Sequence, residues 1–446
     1  MQGQGGNTPD SGSPTGPRRA AIAFIFVTVV LDMLALGVII PILPGLVKEF
    51  EGGDTADAAA MYGLFGTVFA AMQFLFAPVL GALSDRIGRR PVILLSNFGL
   101  GLDYILMALA PSVSWLLVGR VISGICAASF SIPTAYVADV TPPEKRARSF
   151  GLIGAAFGLG FIVGPAFGGL LGGINSRLPF WVAAGLSLTN ALYGLIILPE
   201  SLPRNARAPF QWRRANPVGA LLMLRRYPQV LGIVSVLFLA NVAHEALPSL
   251  WVLYTDYRYQ WGEVTVGLTL AVVGASVALV QGGLVGAVVT RFGERRGLLM
   301  GLAFGATGFL FYGLASSGLL FCLGIPFIGL WGFAGPSAQS IMTRQVGPAE
   351  QGRLQGALSA MIGVAHMIGP GLFTAVFSRS IERDSGWDMP GAPFFLAAAL
   401  LASAFVAAWI VARPTPRVVT GEACAAGEDP EISTDTFDEP VGETLA

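Results

Sequence analysis

Charge is scarce in this 446-residue chain: Asp, Glu, Lys and Arg together make up 12% of it, where an ordinary soluble domain carries about a quarter. That scarcity excludes a normal water-facing surface over most of the length. The 27 basic and 27 acidic residues cancel, so no net positive field exists to recruit nucleic acid. Three cysteines, Cys126, Cys322 and Cys424, lie too far apart for a metal-ligand run or a disulfide framework. His-Glu-x-x-His, Gly-x-Ser-x-Gly and phosphate-binding Gly-Lys-Ser/Thr runs are missing too. The expectation is therefore no enzyme, no metal and no cofactor.

What the chain has instead is apolar length, with 54% hydrophobic residues and 58 glycines. Runs of spanning length, about 20 residues each, fall at 20–44, 59–83, 91–110, 114–138, 149–173 and 179–199, then at 229–254, 264–290, 297–315, 319–342, 354–378 and 391–412. This predicts an all-α membrane protein of twelve transmembrane helices in two pseudo-symmetric six-helix bundles. The expected organisation is a disordered polar tail over 1–19, bundles over 20–199 and 229–412, a linker over 200–228 and a disordered acidic tail over 413–446. Arg18 and Arg19 precede a run with no small-residue cleavage site, so the first helix should be retained. Of the 27 Lys and Arg, 21 fall in the alternate loops that include both termini, which places both termini in the cytoplasm.

The two halves repeat. An offset of 205 carries Gly81 onto Gly286, Gly88 onto Gly293, Pro143 onto Pro348, Arg148 onto Arg353 and Gly164-Pro165 onto Gly369-Pro370. Halves related in this parallel sense are one way secondary transporters are built, with the substrate site at mid-depth between them.

Four ionisable residues stand inside the spans: Asp32, Asp103, Arg120 and Glu245. Each costs roughly 2.5–3.5 kcal/mol at a helix centre on insertion scales, which implies partners or a wet cavity. Proton coupling and substrate binding are the roles assigned to them. A structural hydrogen bond to a neighbouring helix is the competing role for the acids, and a packing ion pair for Arg120. His366 reads as a satisfied interior histidine. Among the aromatic and polar residues on the spans, Gln73, Trp251 and Trp331 are expected to line the substrate cavity, which needs large apolar walls with few polar groups.

The turn Gly81-x-x-x-Asp85-Arg86-x-Gly88-Arg89-Arg90 has too few residues to form a domain, so it must hold two spans close on one side of the bilayer. Its glycines permit a tight turn, and Asp85 is expected to pair with a basic partner and cap a neighbouring helix. In the fifth span, Gly160, Gly164, Pro165, Gly168 and Gly169 offer a bendable helix that others approach closely. Asp139 and Arg344 occupy equivalent ends of spans four and ten, where gate salt bridges are expected, together with Glu144 and Arg148 in the following turn.

These segments resemble motifs of the major facilitator superfamily. The Gly81–Arg90 turn is similar to its loop motif, Arg120-x-x-x-Gly124 to its drug/proton antiporter motif, and Gly160-x-x-x-Gly164-Pro165-x-x-Gly168-Gly169 to its antiporter motif. Pro143-Glu144-x-x-Ala147-Arg148 resembles its Pro-Glu-x-x-Arg turn. Leu31-Asp32 with Pro41-x-x-Pro44, Leu102-Asp103-Tyr104, Phe157-Gly158-Leu159-Gly160 and Gln351-Gly352-x-Leu354-Gln355-Gly356 look like the bacterial tetracycline/proton antiporters. The resemblance implies a monomeric inner-membrane exporter that exchanges an amphipathic small molecule for a proton, with the Gly81–Arg90 turn as a gate. It departs at span nine: those antiporters carry an acid early in that span, whereas Gly301–Phe309 holds none. A proton- or sodium-coupled importer and a membrane protein that binds without transporting are the alternatives.

Overall fold

The computed structural model describes residues 16–127, 131–142, 145–210, 219, 228–346, 351–382 and 389–412. The acidic tail from Arg413, most of the polar tail, most of the second part of the linker, and Pro143 and Glu144 lie outside the described residues, as does the side chain of Arg148.

Among the described residues twelve helices are long and apolar enough to cross a bilayer: α1 (Ile22–Phe50), α2 (Thr55–Ile87), α3 (Arg89–Ala108), α4 (Val113–Val140), α5 (Ser149–Gly172), α6 (Leu178–Ile197), α7 (Val230–Tyr259), α8 (Glu263–Phe292), α9 (Glu294–Leu314), α10 (Gly318–Gln345), α11 (Leu354–Ile381) and α12 (Ala392–Val411). Helical backbone already starts at Gly16. The first span runs past its expected end because Pro41 falls in a turn and Pro44 opens a new helix, Leu43–Phe50, where its missing N–H is no loss. α7 is interrupted at a single residue, Glu245, between helices Pro228–His244 and Ala246–Tyr259. α8 carries a π-helical turn over Val280–Leu284.

In the first half α1 packs on α5 and α6, and α3 on α4 and α6; in the second, α9 packs on α10 and α12, and α7 on α11 and α12. Two helix pairs, α2 with α11 and α5 with α8, form most of the seam between the halves. Glycine makes the approach possible. A Cβ on Gly267 would lie 3.0 Å from Gly169 Cα, one on Gly274 2.9 Å from Ile162, and one on Gly66 2.6 Å from Pro370.

The seam is closed at one end only. Toward the end that carries the Gly81–Arg90 turn, called here the basic end, Gly151, Gly154 and Gly158 of α5 and Gly282, Gly283 and Gly286 of α8 have nothing within 4 Å of a Cβ position. Gly81 on α2 and Gly356 on α11 are equally open. At the far end Lys48 of α1 and Asp256 of α7 form an ion pair of 2.5 Å across the halves. There, too, an aromatic cluster joins the helices of the second half: Tyr312 stacks on Phe321 at 4.3 Å, Trp251 meets Phe321 at 4.9 Å and Tyr254 meets Phe394 at 4.8 Å. The molecule is thus held shut at the far end and parted at the basic end.

Candidate transport site

In the first half the buried acids occupy two different environments. Asp32 on α1 accepts a hydrogen bond from Asn190 Nδ2 of α6 at 2.8 Å, and the same amide donates to the Thr28 carbonyl at 2.9 Å. Asn190 therefore ties Asp32 to the α1–α6 contact. Asp103 on α3 is 1% exposed, yet neither of its carboxylate oxygens has a hydrogen-bond partner. One oxygen lies against Gly119 of α4, where a Cβ would stand 3.0 Å away. Ser123 is close by, but its hydroxyl donates to the Gly119 carbonyl at 2.7 Å.

Arg120 comes from the same stretch of α4. Its guanidinium sits 5.3 Å from the centre of the Phe69 ring on α2 and reaches Met107 Sδ at 3.6 Å, while its Nε has no partner. Asp103 lies within its electrostatic range without a direct salt bridge. A buried carboxylate with free lone pairs beside an under-used guanidinium is a costly arrangement in a bilayer. It is poised to take a proton or a polar ligand group. Gln73 stands on the same α2–α4 contact and donates to the Ala127 carbonyl at 3.4 Å.

In the second half, Glu245 at the α7 break faces His366 of α11, with Oε1 and Nε2 3.6 Å apart. Trp331 of α10 lies 5.6 Å from the ring of His244 and 5.8 Å from Phe309. Trp251 is 2% exposed inside the aromatic cluster, and its indole donates to Thr269 at 3.3 Å. Its place is in the core packing of the far end. Tyr62 of α2 crosses the seam: its hydroxyl donates to the Pro248 carbonyl of α7 at 3.5 Å, within electrostatic range of both Arg120 and Glu245.

The Gly81–Arg90 turn is an electrostatic knot inside the first half. Asp85 pairs with Arg89 at 2.5 Å, and Arg89 reaches Asp139 of α4 at 3.2 Å. The helix cap differs from expectation. Glu200, not Asp85, accepts from the Arg89 N–H at 2.9 Å, and so caps the start of α3. Gly88 has φ +115°, and its missing Cβ leaves room for the Glu200 carboxylate. Arg90 donates to the carbonyls of Gly194 and Leu195 at the end of α6, where four carbonyls lack helical donors. The linker returns to the same turn, with Ala208 N–H donating to the Asp85 carbonyl at 3.1 Å. Arg86 is exposed.

The equivalent turn of the second half carries the same pair with its poles exchanged. Arg344 of α10 binds Glu294 at the start of α9 at 2.6 Å, and Ser340 joins Glu294 at 2.6 Å. The offset of 205 places Arg89 on Glu294 and Asp139 on Arg344. Each pair closes within its own half in this conformation, so neither bridges the parted basic end.

The glycines of the fifth span divide sharply. Gly160, Gly164 and Gly168 meet Met33, Gly37 and Val38 of α1, whereas Gly169 meets Glu263 and Gly267 of α8. Pro165 lies between them within a continuous helix. In span nine, where an acid is missing, Gly301 packs on Ala334, Gly305 on Trp331 and Gly308 on Ile328, and Leu302 is fully buried. That face is filled by α10 and, at Gly305, by Leu401 of α12 as well. A separate cavity of about 300 Å³ opens between α10 and α11, lined by Gln339, Gln351, Gln355 and neighbouring side chains.

A sequence profile described as Major Facilitator Superfamily matches residues 25–370 and 282–430. The chain belongs to this superfamily. Tetracycline resistance protein class C of Escherichia coli is 38% identical over 82% of this chain and 92% of its own length. Class G of Vibrio anguillarum is 36% identical over 83% and 93%. Among solved structures, the human organic anion transporter MFSD10 (TETRAN) superposes with a TM-score of 0.67 at 26% identity, covering 88% of this chain and 99% of its own. The nucleoside transporter NupG, at 14% identity and a TM-score of 0.71 over 89% and 100% of the two chains, shares the fold. The twelve helices are thus the two six-helix bundles of a major facilitator transporter, an integral membrane protein.

Three features of the site escaped the sequence. Asn190 and Glu200 lie outside the motifs, and of the two only Glu200, an acid directly after a span end, carries a visible signal. The pairing of His366 with Glu245 joins residues 121 positions apart, and nothing local announces it.

Proposed function

We propose that this chain is a proton-coupled antiporter that exports an amphipathic, drug-like small molecule across the bacterial inner membrane by alternating access, with tetracycline the first substrate to test. It works as a monomer, through bundles over 20–199 and 229–412 joined by the linker 200–228. Both termini are cytoplasmic, which the concentration of Lys and Arg at the basic end supports. The parted end then faces the cytoplasm, and the conformation described is the one that loads substrate.

The observation that carries this reading is Asp103, buried with both oxygens unpartnered beside Arg120. Such a group gains most from a proton or from a ligand donor, and the proton removes the charge that makes it a strong acceptor. Substrate entering from the cytoplasm occupies the polar site and displaces the proton. Closure of the basic end and opening of the far end then expose the loaded site outside, where a new proton releases the substrate. The tetracycline-resistance relatives support drug efflux over nutrient import. Glu144 and Arg148 are assigned to the cytoplasmic gate with Asp139 and Arg344.

The test is uptake of tetracycline into inverted membrane vesicles under an imposed pH gradient. Gradient-dependent accumulation that collapses with a protonophore is expected. No gradient-dependent flux across tetracyclines, dyes and fluoroquinolones would overturn the proposal.

A further inference from the structure

We propose that Glu245 and His366 form a second proton-binding site, in the opposite half from Asp32 and Asp103, and that substrate competes with the proton there as well. The inference rests on the antiport reading. It begins with a count: only three acidic side chains are buried among the described residues, and Glu245 is the one in the second half.

Its position in the fold is unlike that of a packing residue. Glu245 occupies the one-residue break of α7, with its own N–H held by the Val242 carbonyl at 3.1 Å. Interrupted helices at mid-depth are where membrane transporters place ions, because the broken backbone and a polar side chain meet at one point. The backbone of α11 is allowed close to it by Gly369, whose missing Cβ would overlap the Glu245 side chain. A larger residue at 369 would close the site.

Exposure is divided between the partners. The Glu245 side chain is 11% exposed and that of His366 39%. Water therefore meets the imidazole first, which takes up and gives back the proton beside the carboxylate. On α11, Gly363 contacts Phe74 and Pro370 contacts Gly66, both on α2 of the first half. His366 is spaced three and four residues from these, so it shares their helix face and stands at the seam that must part during transport.

The groups that face the pair are few. His244 adjoins Glu245 in sequence and turns its ring to Trp331. Tyr62 of α2 lies within electrostatic range of Glu245 and of Arg120. Among the described residues no Lys or Arg forms an ion pair with Glu245. A proton is then the cation that balances it. Protonated, the pair is an imidazolium beside a carboxylate with no net charge. Deprotonated, it is a neutral imidazole beside a carboxylate carrying one negative charge, which attracts a cationic or donor-rich face of the substrate. The proton arrives from water on the far side when that end is open and leaves to water at the basic end. Tyr62, hydrogen-bonded to α7 and close to Arg120, connects the two acidic sites across the seam.

The experiment uses the full chain in proteoliposomes with tetracycline as probe, comparing uptake driven by a pH gradient with tetracycline exchange at equal pH. For Glu245→Gln and for His366→Gln, the ratio of driven uptake to exchange should fall on the order of tenfold or more, and the double variant should fall no further, as residues acting as a unit do. An unchanged ratio in both variants, or equal loss of both activities, overturns the proposal. A substrate-independent measurement separates this outcome from failure of the antiport reading. The chain has 2 histidines, so ¹⁵N-histidine NMR with His366→Gln for assignment resolves them. His366 should gain its second proton along a titration curve that Glu245→Gln displaces. A His366 signal that does not titrate, or one indifferent to Glu245→Gln, overturns the site even where tetracycline is not the substrate.

Discussion

Asp32 and Asp103 are both buried carboxylates in the first half, but only Asp32 has a donor, the amide of Asn190. The difference separates their expected phenotypes. Asn190→Ala removes a bond to a charged acceptor within the bilayer, and should cost about 1 kcal/mol of stability. Thermal unfolding in detergent reads that loss, and a double-mutant cycle with Asp32→Ala should return a coupling of similar size. No coupling would mean that the amide and the acid act independently. Asp103→Asn keeps the volume but removes the titratable group, so folded yield should be retained while gradient-driven uptake falls on the order of a hundredfold. Arg120→Lys should fail as well, because an ammonium lacks the planar group that lies over Phe69; driven uptake close to that of the unaltered protein would refute this. The charged members of this site were legible in the sequence because charge inside an apolar run is conspicuous. Asn190 was not, since a single amide is cheap enough in a membrane helix to pass as packing.

The elements follow the apolar runs closely, because each span must satisfy its own backbone in lipid and helix is the structure that does so. What the runs could not supply is the position of breaks. The π-turn over Val280–Leu284 has no proline within it, whereas the interruption at Glu245 lies three residues before Pro248, whose missing N–H leaves the His244 carbonyl without its helical donor. The same holds for glycine. In the sequence the glycines of α5 form one undivided stripe. In the structure Gly160, Gly164 and Gly168 are pressed against α1, whereas Gly151, Gly154 and Gly158 face open space. Gly164→Ala should therefore destabilise the protein by about 1–3 kcal/mol through overpacking, while Gly158→Ala should leave the unfolding midpoint in detergent unchanged. Equal behaviour of the two variants would contradict this division of the helix.

For the molecule as a whole, the open glycines predict the other conformation. α5 and α8 run antiparallel, and Ile162 against Gly274 fixes their register. Eight residues back along α5 and eight on along α8, Gly154 stands opposite Gly282. Closure of the basic end should bring these two together. With Cys126, Cys322 and Cys424 replaced, Gly154→Cys/Gly282→Cys should form a disulfide that stops transport and is reversed by reductant. A pair that never crosslinks under turnover would rule out zipping in this register.

The exchanged polarity of Arg89–Asp139 and Glu294–Arg344 distinguishes the two basic ends. Two identical copies of the first half, related by a two-fold axis, would present arginine to arginine and aspartate to aspartate at their basic ends. The present halves offer opposite charges at every equivalent point of those pairs. Each half thus carries an internally neutral clasp whose acid and base have traded helices, so the two basic ends differ in charge pattern although their backbones repeat.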